Sequence, residues 1–146
     1  MTSAPTLTDA RFDDGDAVRG LLADAGLPTA DLPAELVGFD VARDGAQVVG
    51  CAGLERAGES GLLRSVAVAF TRRNQGLGRA LVERCLARAR GLGLRDVYLL
   101  TTTAETYFAG LGFEAFPRER APAGIRATAE LTSLCPSTAI LMRKAL

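Results

Sequence analysis

The chain has 146 residues, 48% of them apolar, with seventeen cationic and seventeen acidic side chains and no histidine. That length suits a single domain over residues 1–146, able to bury roughly two-thirds of its unfolded surface. No apolar run approaches the ~20 residues of a membrane span, the polar start MTSAPTLTDARFDDGD does not read as a signal peptide, and a chain without histidine is a poor zinc binder; the expectation is a cytoplasmic protein with no membrane partner and no metal.

Taken in order, TLTDARF reads as a strand and DDGDAVRGLLADAG as a helix, with acids in its first turn and Gly26 as its stop. LPTADLPAELV is interrupted by proline and predicts a loop or a single helical turn. FDVARDGAQVVGCAGLE predicts a hairpin whose two-residue turn is Asp44-Gly45. GLLRSVAVAF is nearly continuous in apolar residues, as a central strand is. From Gly76 to about Leu92, Leu77, Leu81, Cys85 and Ala89 recur every four positions and Val82 and Leu86 widen the stripe, which predicts an amphipathic helix ended by Gly91 and Gly93. DVYLLTT predicts a strand, and AETYFAGLG a short helix with Ala104, Tyr107, Phe108 and Leu111 on one side. FEAF resumes extended structure, residues 117–136 are broken by three prolines, and STAILMRK closes the chain as a strand. The order of elements predicts a mixed α/β sheet rather than a regular βαβ series.

Charge is unevenly placed. Residues 1–62 hold eleven acids against four arginines, and residues 72–96 hold seven arginines against Glu83 and Asp96. A neutral chain can therefore carry a positive region suited to a polyanion. The region is short and poor in aromatics, which argues against nucleic acid.

Within it lies RRNQGLGR, a turn between a strand and a helix. The first N–H groups of a helix lack intrahelical acceptors and its dipole favours an anion there. Glycines let a phosphate approach without a side-chain clash, and Arg72, Arg73 and Arg79 can add charge-assisted contacts. The bland alternative is a tight strand-to-helix turn with solvated arginines. A P-loop would need GxxxxGK[ST], which is absent, and a dinucleotide fingerprint would need glycine where Leu81 stands.

RNQGLG resembles the [QR]xxGx[GA] motif of the GCN5-related N-acetyltransferase (GNAT) superfamily, and AETYFAGLGF resembles that superfamily's AxxFYxxxGF signature. The strand LLRSVAV, the helix and the strand VYLLTT stand in the matching order, so the resemblance covers residues 6–116 and a last strand at 137–144. It implies an α/β GNAT fold, a single mixed, mostly antiparallel sheet with a splayed central parallel strand pair (residues 62–69 and 96–101), flanked by helices. A narrower likeness, in LLTTTAETYFAGLGF, RERAPAGIRATAELTSLCPSTAILM and GLPTADL, is to acetyltransferase-like proteins of bacterial arsenic-resistance operons.

The resemblance implies acetyl-CoA as co-substrate and a small amine as acceptor. The pantetheine arm would pair with the backbone at Val66 and Val68, and the pyrophosphate would rest on Arg73, Asn74, Gln75, Gly76, Leu77, Gly78 and Arg79. An amide near Val66 or Ala67 would face the oxyanion, with Thr101 and Phe108 near the thioester. The family's acid, a tyrosine four residues before the signature glycine, is Phe108 here. Tyr107 is adjacent but turned about 100° around the helix, so it is either a replacement acid or a packed aromatic. Glu55 and Glu130 are the candidate bases, with a water chain as the alternative. Arg64, Ser65, Thr102 and Arg120 are candidates for holding the acceptor, Arg64 by pairing with a carboxylate or, on the blander reading, simply facing outward.

The leading expectation is thus N-acetyl transfer by direct amine attack. The alternatives are a non-catalytic coenzyme A-binding or sensor module, favoured by Phe108 in the acid position, and a metalloid binder built on Cys51, Cys85 and Cys135. As small hydrophobes of the core, the cysteines need no such role. The sequence leaves the acceptor and the oligomeric state open, a homodimer among the options.

Overall fold

Seven strands form one sheet, β1 (Thr6–Asp9), β2 (Phe39–Asp44), β3 (Gln47–Ala57), β4 (Ser60–Val68), β5 (Asp96–Thr101), β6 (Glu114–Ala115) and β7 (Ile140–Ala145), in the order β1-β2-β3-β4-β5-β7-β6. Helices α1 (Gly15–Asp24), α2 (Leu77–Gly91), α3 (Glu105–Ala109) and α4 (Ala123–Arg126) flank it. The computed structural model describes residues 4–33, 35–134 and 138–146; Cys135 lies outside the described residues. This is the mixed α/β sheet expected, mostly antiparallel with the parallel pair β4–β5. Contacts gather into two units, Met1–Leu54 with Ser65–Cys85, and Glu55–Arg64 with Leu86–Leu146.

In the first unit, β1 and β2 pair antiparallel from Thr6↔Arg43 to Asp9↔Asp40. The β2–β3 hairpin differs from expectation by one residue. Asp44 pairs with Gln47, so the two-residue turn is Gly45-Ala46, and Asp44 is the last strand residue. A register shift at Ala42/Arg43 absorbs the extra residue, which a pattern of apolar alternation does not reveal. Val18 and Leu22 of α1 pack with Phe39, Val41, Val48, Cys51 and Ala67. The front half of α2 lies close on the sheet at Gly50, where a Cβ would come within 3.0 Å of Leu81. The whole predicted stripe of α2, from Leu77 to Ala89, is buried.

In the second unit, β4 and β5 run parallel over Ser60–Leu62 against Asp96–Tyr98, while β5 keeps its antiparallel register with β7 as far as Thr101↔Ile140. Leu62, Tyr98, Ala121, Ile125 and Leu141 form this unit's core. Ser60, Tyr98 and Arg143 all hydrogen-bond the buried Asp96 carboxylate, so this charge carries its own partners into the interior. Burial pushes the Tyr98 hydroxyl upward from its ordinary pKa, and the nearby Asp96 charge adds to the rise. Of the side predicted for α3, Phe108 and Leu111 are buried but Tyr107 is exposed; a helix of five residues covers only a narrow arc of the core.

Candidate active site

β4 departs from regular strand geometry at one residue. Ser65 has φ 58, a left-handed conformation for a non-glycine residue that is 7% exposed. Such a conformation costs about 1–2 kcal/mol and persists only where its surroundings hold it. Here the Ser65 carbonyl accepts the Cys51 thiol at 3.3 Å. Burial pushes the Cys51 pKa up to about 12, against a smaller downward pull from the Ala67 amide. Cys51 is therefore a neutral thiol at ordinary pH and no nucleophile. Beyond Ser65, Ala67 is buried and Val66 and Val68 are half-buried.

The strand leads into the glycine turn. Residues Phe70–Arg72 make one 3-10 turn, Arg73 is extended, and Asn74 (φ 66) and Gly76 (φ 80) are both left-handed before α2 begins at Leu77. The Ala80 amide donates to the Gly76 carbonyl, which makes Gly76 the N-cap. A glycine cap has no side chain to accept the next amides, so those of Leu77, Gly78 and Arg79 are left without an intrahelical partner. A Cβ on Gly76 would meet nothing within 4 Å, and Arg73, Asn74, Gln75 and Arg79 are exposed around it. Open space, amides without an intrahelical acceptor and the positive end of a helix dipole together suit an anion.

The arginines divide between structure and turn. Arg72 pairs with Asp44, and Arg84 with Asp40 and Asp9, so acids of the N-terminal third neutralise part of the basic stretch. Arg73 stays at the turn, its Nε donating to the Val68 carbonyl at 3.3 Å and its guanidinium 5.5 Å above the Phe70 ring. Phe70 itself is 82% exposed, so the cation–π contact is its visible packing role.

In the second unit the predicted residues fall into three kinds of place. Arg64 is buried, not outward, and bonds Glu55 at 3.4 Å, a pair with one partner in the interior and the other half in solvent. Glu130 is buried on the helical turn Glu130–Leu134, and Thr128 nearby is buried with its hydroxyl on the Ile125 carbonyl. Thr101 is buried and its hydroxyl oxygen accepts the Ala104 amide at 3.0 Å, capping the approach to α3, whereas Thr102 is exposed. Phe108 is buried and Tyr107, edge-on to it at 5.2 Å, is 45% exposed. Arg120 is exposed; Arg118 donates to the Ala139 carbonyl at 2.7 Å.

Within the first unit, then, Val66, Ala67 and Val68 run directly into the turn of Arg73 to Arg79, and within the second Arg64 meets Glu55. Three contributors escaped the sequence reading: the Ser65 backbone, the Cys51 thiol beneath it and the Phe70 ring under Arg73. A serine in a strand and a cysteine in an apolar run carry no signal for such roles. Phe70, an aromatic three residues before an arginine at a turn, was legible as a cation–π partner.

Among the described residues no group of three or more potential metal ligands occurs. The family model for the acetyltransferase (GNAT) domain matches residues 36–115. The chain is 36% identical over 94 residues to the amino-acid acetyltransferase of Pseudomonas paraeruginosa, and 41% identical over 85 residues to that of Azotobacter vinelandii. These matches take in 63% and 57% of this chain but only 22% and 19% of those relatives, so the matched part of the chain spans about a fifth of their length. A Mycobacterium tuberculosis protein solved in complex with CoA superposes with a TM-score of 0.83 at 26% identity, over 97% of this chain and 99% of that one. N-acetylglutamate synthase from Neisseria gonorrhoeae, solved with coenzyme A and L-arginine, shares the fold at a TM-score of 0.83 and 19% identity, over 99% of this chain and 34% of its own. A glycine-capped helix continuing from a kinked strand, in a sheet of this order and matched by that family model over more than half the chain, makes this protein a member of the GNAT acetyltransferase family.

Proposed function

We propose that the protein moves an acetyl group from acetyl-CoA to the primary amine of a small, amino-acid-like acceptor. One observation carries the reading: the left-handed pair Asn74 and Gly76 opens the start of α2 beside Arg73 and Arg79, and this turn follows directly from β4. Those amides and guanidiniums are the donors a pyrophosphate needs. With the pyrophosphate there, an extended pantetheine arm can lie along β4 at Val66 and Val68.

The acceptor amine then attacks the thioester carbonyl carbon directly, the carbon–sulfur bond breaks, and the thiolate leaves with a proton from solvent. The ammonium proton passes to Glu55, Glu130 or a chain of waters. The amide at Val66 stabilises the oxyanion, since that of Ala67 is turned to the Cys51 sulfur. Orientation of donor and acceptor on one scaffold contributes ~7–11 kcal/mol towards such a barrier. Arg64, buried and charged, favours an acceptor with a carboxylate, in keeping with the amino-acid acetyltransferases that resemble the chain. The likeness to arsenic-resistance operon proteins supports a cytoplasmic role in that setting, with an amine-bearing toxic analogue among the acceptors.

Release of free thiol from acetyl-CoA across a panel of amino acids and amines tests the reading. The expected result is turnover with at least one α-amino acid. Phe108 favours a second reading, a coenzyme A-binding module without turnover, because the position of the usual acid holds a buried ring with no proton to give. Tight coenzyme A binding with no acceptor turned over would select it.

A further inference from the structure

We propose that Cys51 is a positioning residue for catalysis: its thiol, donating to the Ser65 carbonyl, holds the Ser65–Val66 peptide so that the Val66 amide points away from the core towards the oxyanion. The inference rests on the acetyltransferase reading above and adds a residue to it that does not touch substrate.

The geometry follows from the peptide unit. The Ser65–Val66 bond is trans, so its C=O and N–H point in opposite directions and cannot turn independently. The carbonyl end faces the Cys51 thiol, which is fully buried among Leu22, Val41, Val48 and Ala67. Whatever fixes that end therefore aims the Val66 N–H at the other. Ser65 needs fixing, because its φ of 58 is a conformation that a regular strand would relax.

The thiol works on both sides of Val66. It donates to Ser65 on one side and accepts from the Ala67 amide on the other. Cys51 has no exposed surface, so removing the thiol takes a buried donor from the Ser65 carbonyl. Burial keeps the sulfur protonated, and the donor persists through the working pH range.

The test compares wild type with Cys51→Ser, Cys51→Val and Cys51→Ala. Serine keeps a donor and acceptor at the site; valine fills the space without either. The expected result for Cys51→Val is a fall in kcat of about ten- to hundredfold, smaller than outright loss of an oxyanion donor. Its KM for acetyl-CoA should stay within about twofold and Cys51→Ser should keep kcat within about threefold, a split that a general loss of folding does not produce. In nitrogen–proton correlation spectra, the Val66 cross-peak should shift on adding acetyl-CoA in wild type and Cys51→Ser and stay in place in Cys51→Val. Should the valine protein not fold, the alanine variant takes its place against serine.

Wild-type kcat in Cys51→Val, an equal fall in Cys51→Ser, or a Val66 shift alike in every variant overturns the proposal. If wild type binds acetyl-CoA but acetylates no amine, the enzymatic reading fails by itself, and the cross-peak comparison alone decides the role of Cys51. If wild type does not bind acetyl-CoA, both fall together.

Discussion

The ring of Phe113 stands edge-on to that of Phe108, centroids 6.1 Å apart at 76°, across a turn in which the Phe113 amide bonds back to the Phe108 carbonyl. Gly112 between them has φ 96, and its own amide bonds to Ala109. This is the Schellman ending of α3, with the hydrophobic contact that accompanies it. The Gly-Phe of the family signature thus has a structural cause, and the residue in the acid position is committed to packing. Phe108→Ala should lower stability by about 3–4 kcal/mol and the melting temperature by roughly 10 °C, read by thermal unfolding.

Gly76 combines a left-handed backbone with open space above it. A side chain there strains the turn by about 1–2 kcal/mol and occupies the room proposed for the pyrophosphate. Gly76→Trp should weaken coenzyme A binding at least about tenfold in titration calorimetry while the protein stays folded, a loss equivalent to ~1.4 kcal/mol. Equal affinity in both proteins would remove the turn from the donor site.

Arg64 is proposed to meet the acceptor's carboxylate, and Glu55, the carboxylate it bonds, reaches solvent. Losing a charge-assisted contact of ~1.5–3 kcal/mol should raise the acceptor KM about ten- to hundredfold in Arg64→Gln. The KM for acetyl-CoA should hardly move. A rise in both constants would point instead to disturbance of β4.

Asp14 and Arg43 form a two-point pair at 2.9 and 2.7 Å, and the Arg11 amide adds a third bond to the carboxylate. The Arg43 hydrogen bonds hold the Asp14 carboxyl below its ordinary 3.8 despite burial. A lowered carboxylate stabilises the fold in full above its unfolded pKa, and that stability is lost as pH falls through the folded value. Arg43→Gln should therefore cost roughly 3 kcal/mol at neutral pH, and the gap from wild type should close below about pH 4. Urea unfolding across pH reads both.

Cys51 and Cys85 have no exposed surface, and the Cys51 thiol is pushed up to about 12. Neither should react with a disulfide reagent at pH 8 until the protein is unfolded. Rapid native labelling of either would contradict their burial.

Much of the fold was legible because it rests on local rules. The four-residue stripe of α2 is buried along its whole length, and β4 and β5 lie where their apolar runs stand. The hairpin slipped by one residue because the shift at Ala42/Arg43 belongs to strand pairing, which no single strand displays. The basic stretch overstated the free charge at the turn, since Arg72 and Arg84 find Asp44, Asp40 and Asp9 only after β1, β2 and α2 come together.

What the amino-acid order determined by itself was therefore the elements, the glycine turn and the family they resemble: propensity, periodicity and cap chemistry act over a few neighbouring residues. What tertiary structure alone decided was that Arg64 is buried against Glu55, that Ser65 is held in a left-handed conformation, and that Cys51 lies under its carbonyl. Those facts depend on which strands lie side by side and in what register, and a hydrogen bond between residues fourteen apart exists only once that pairing has formed.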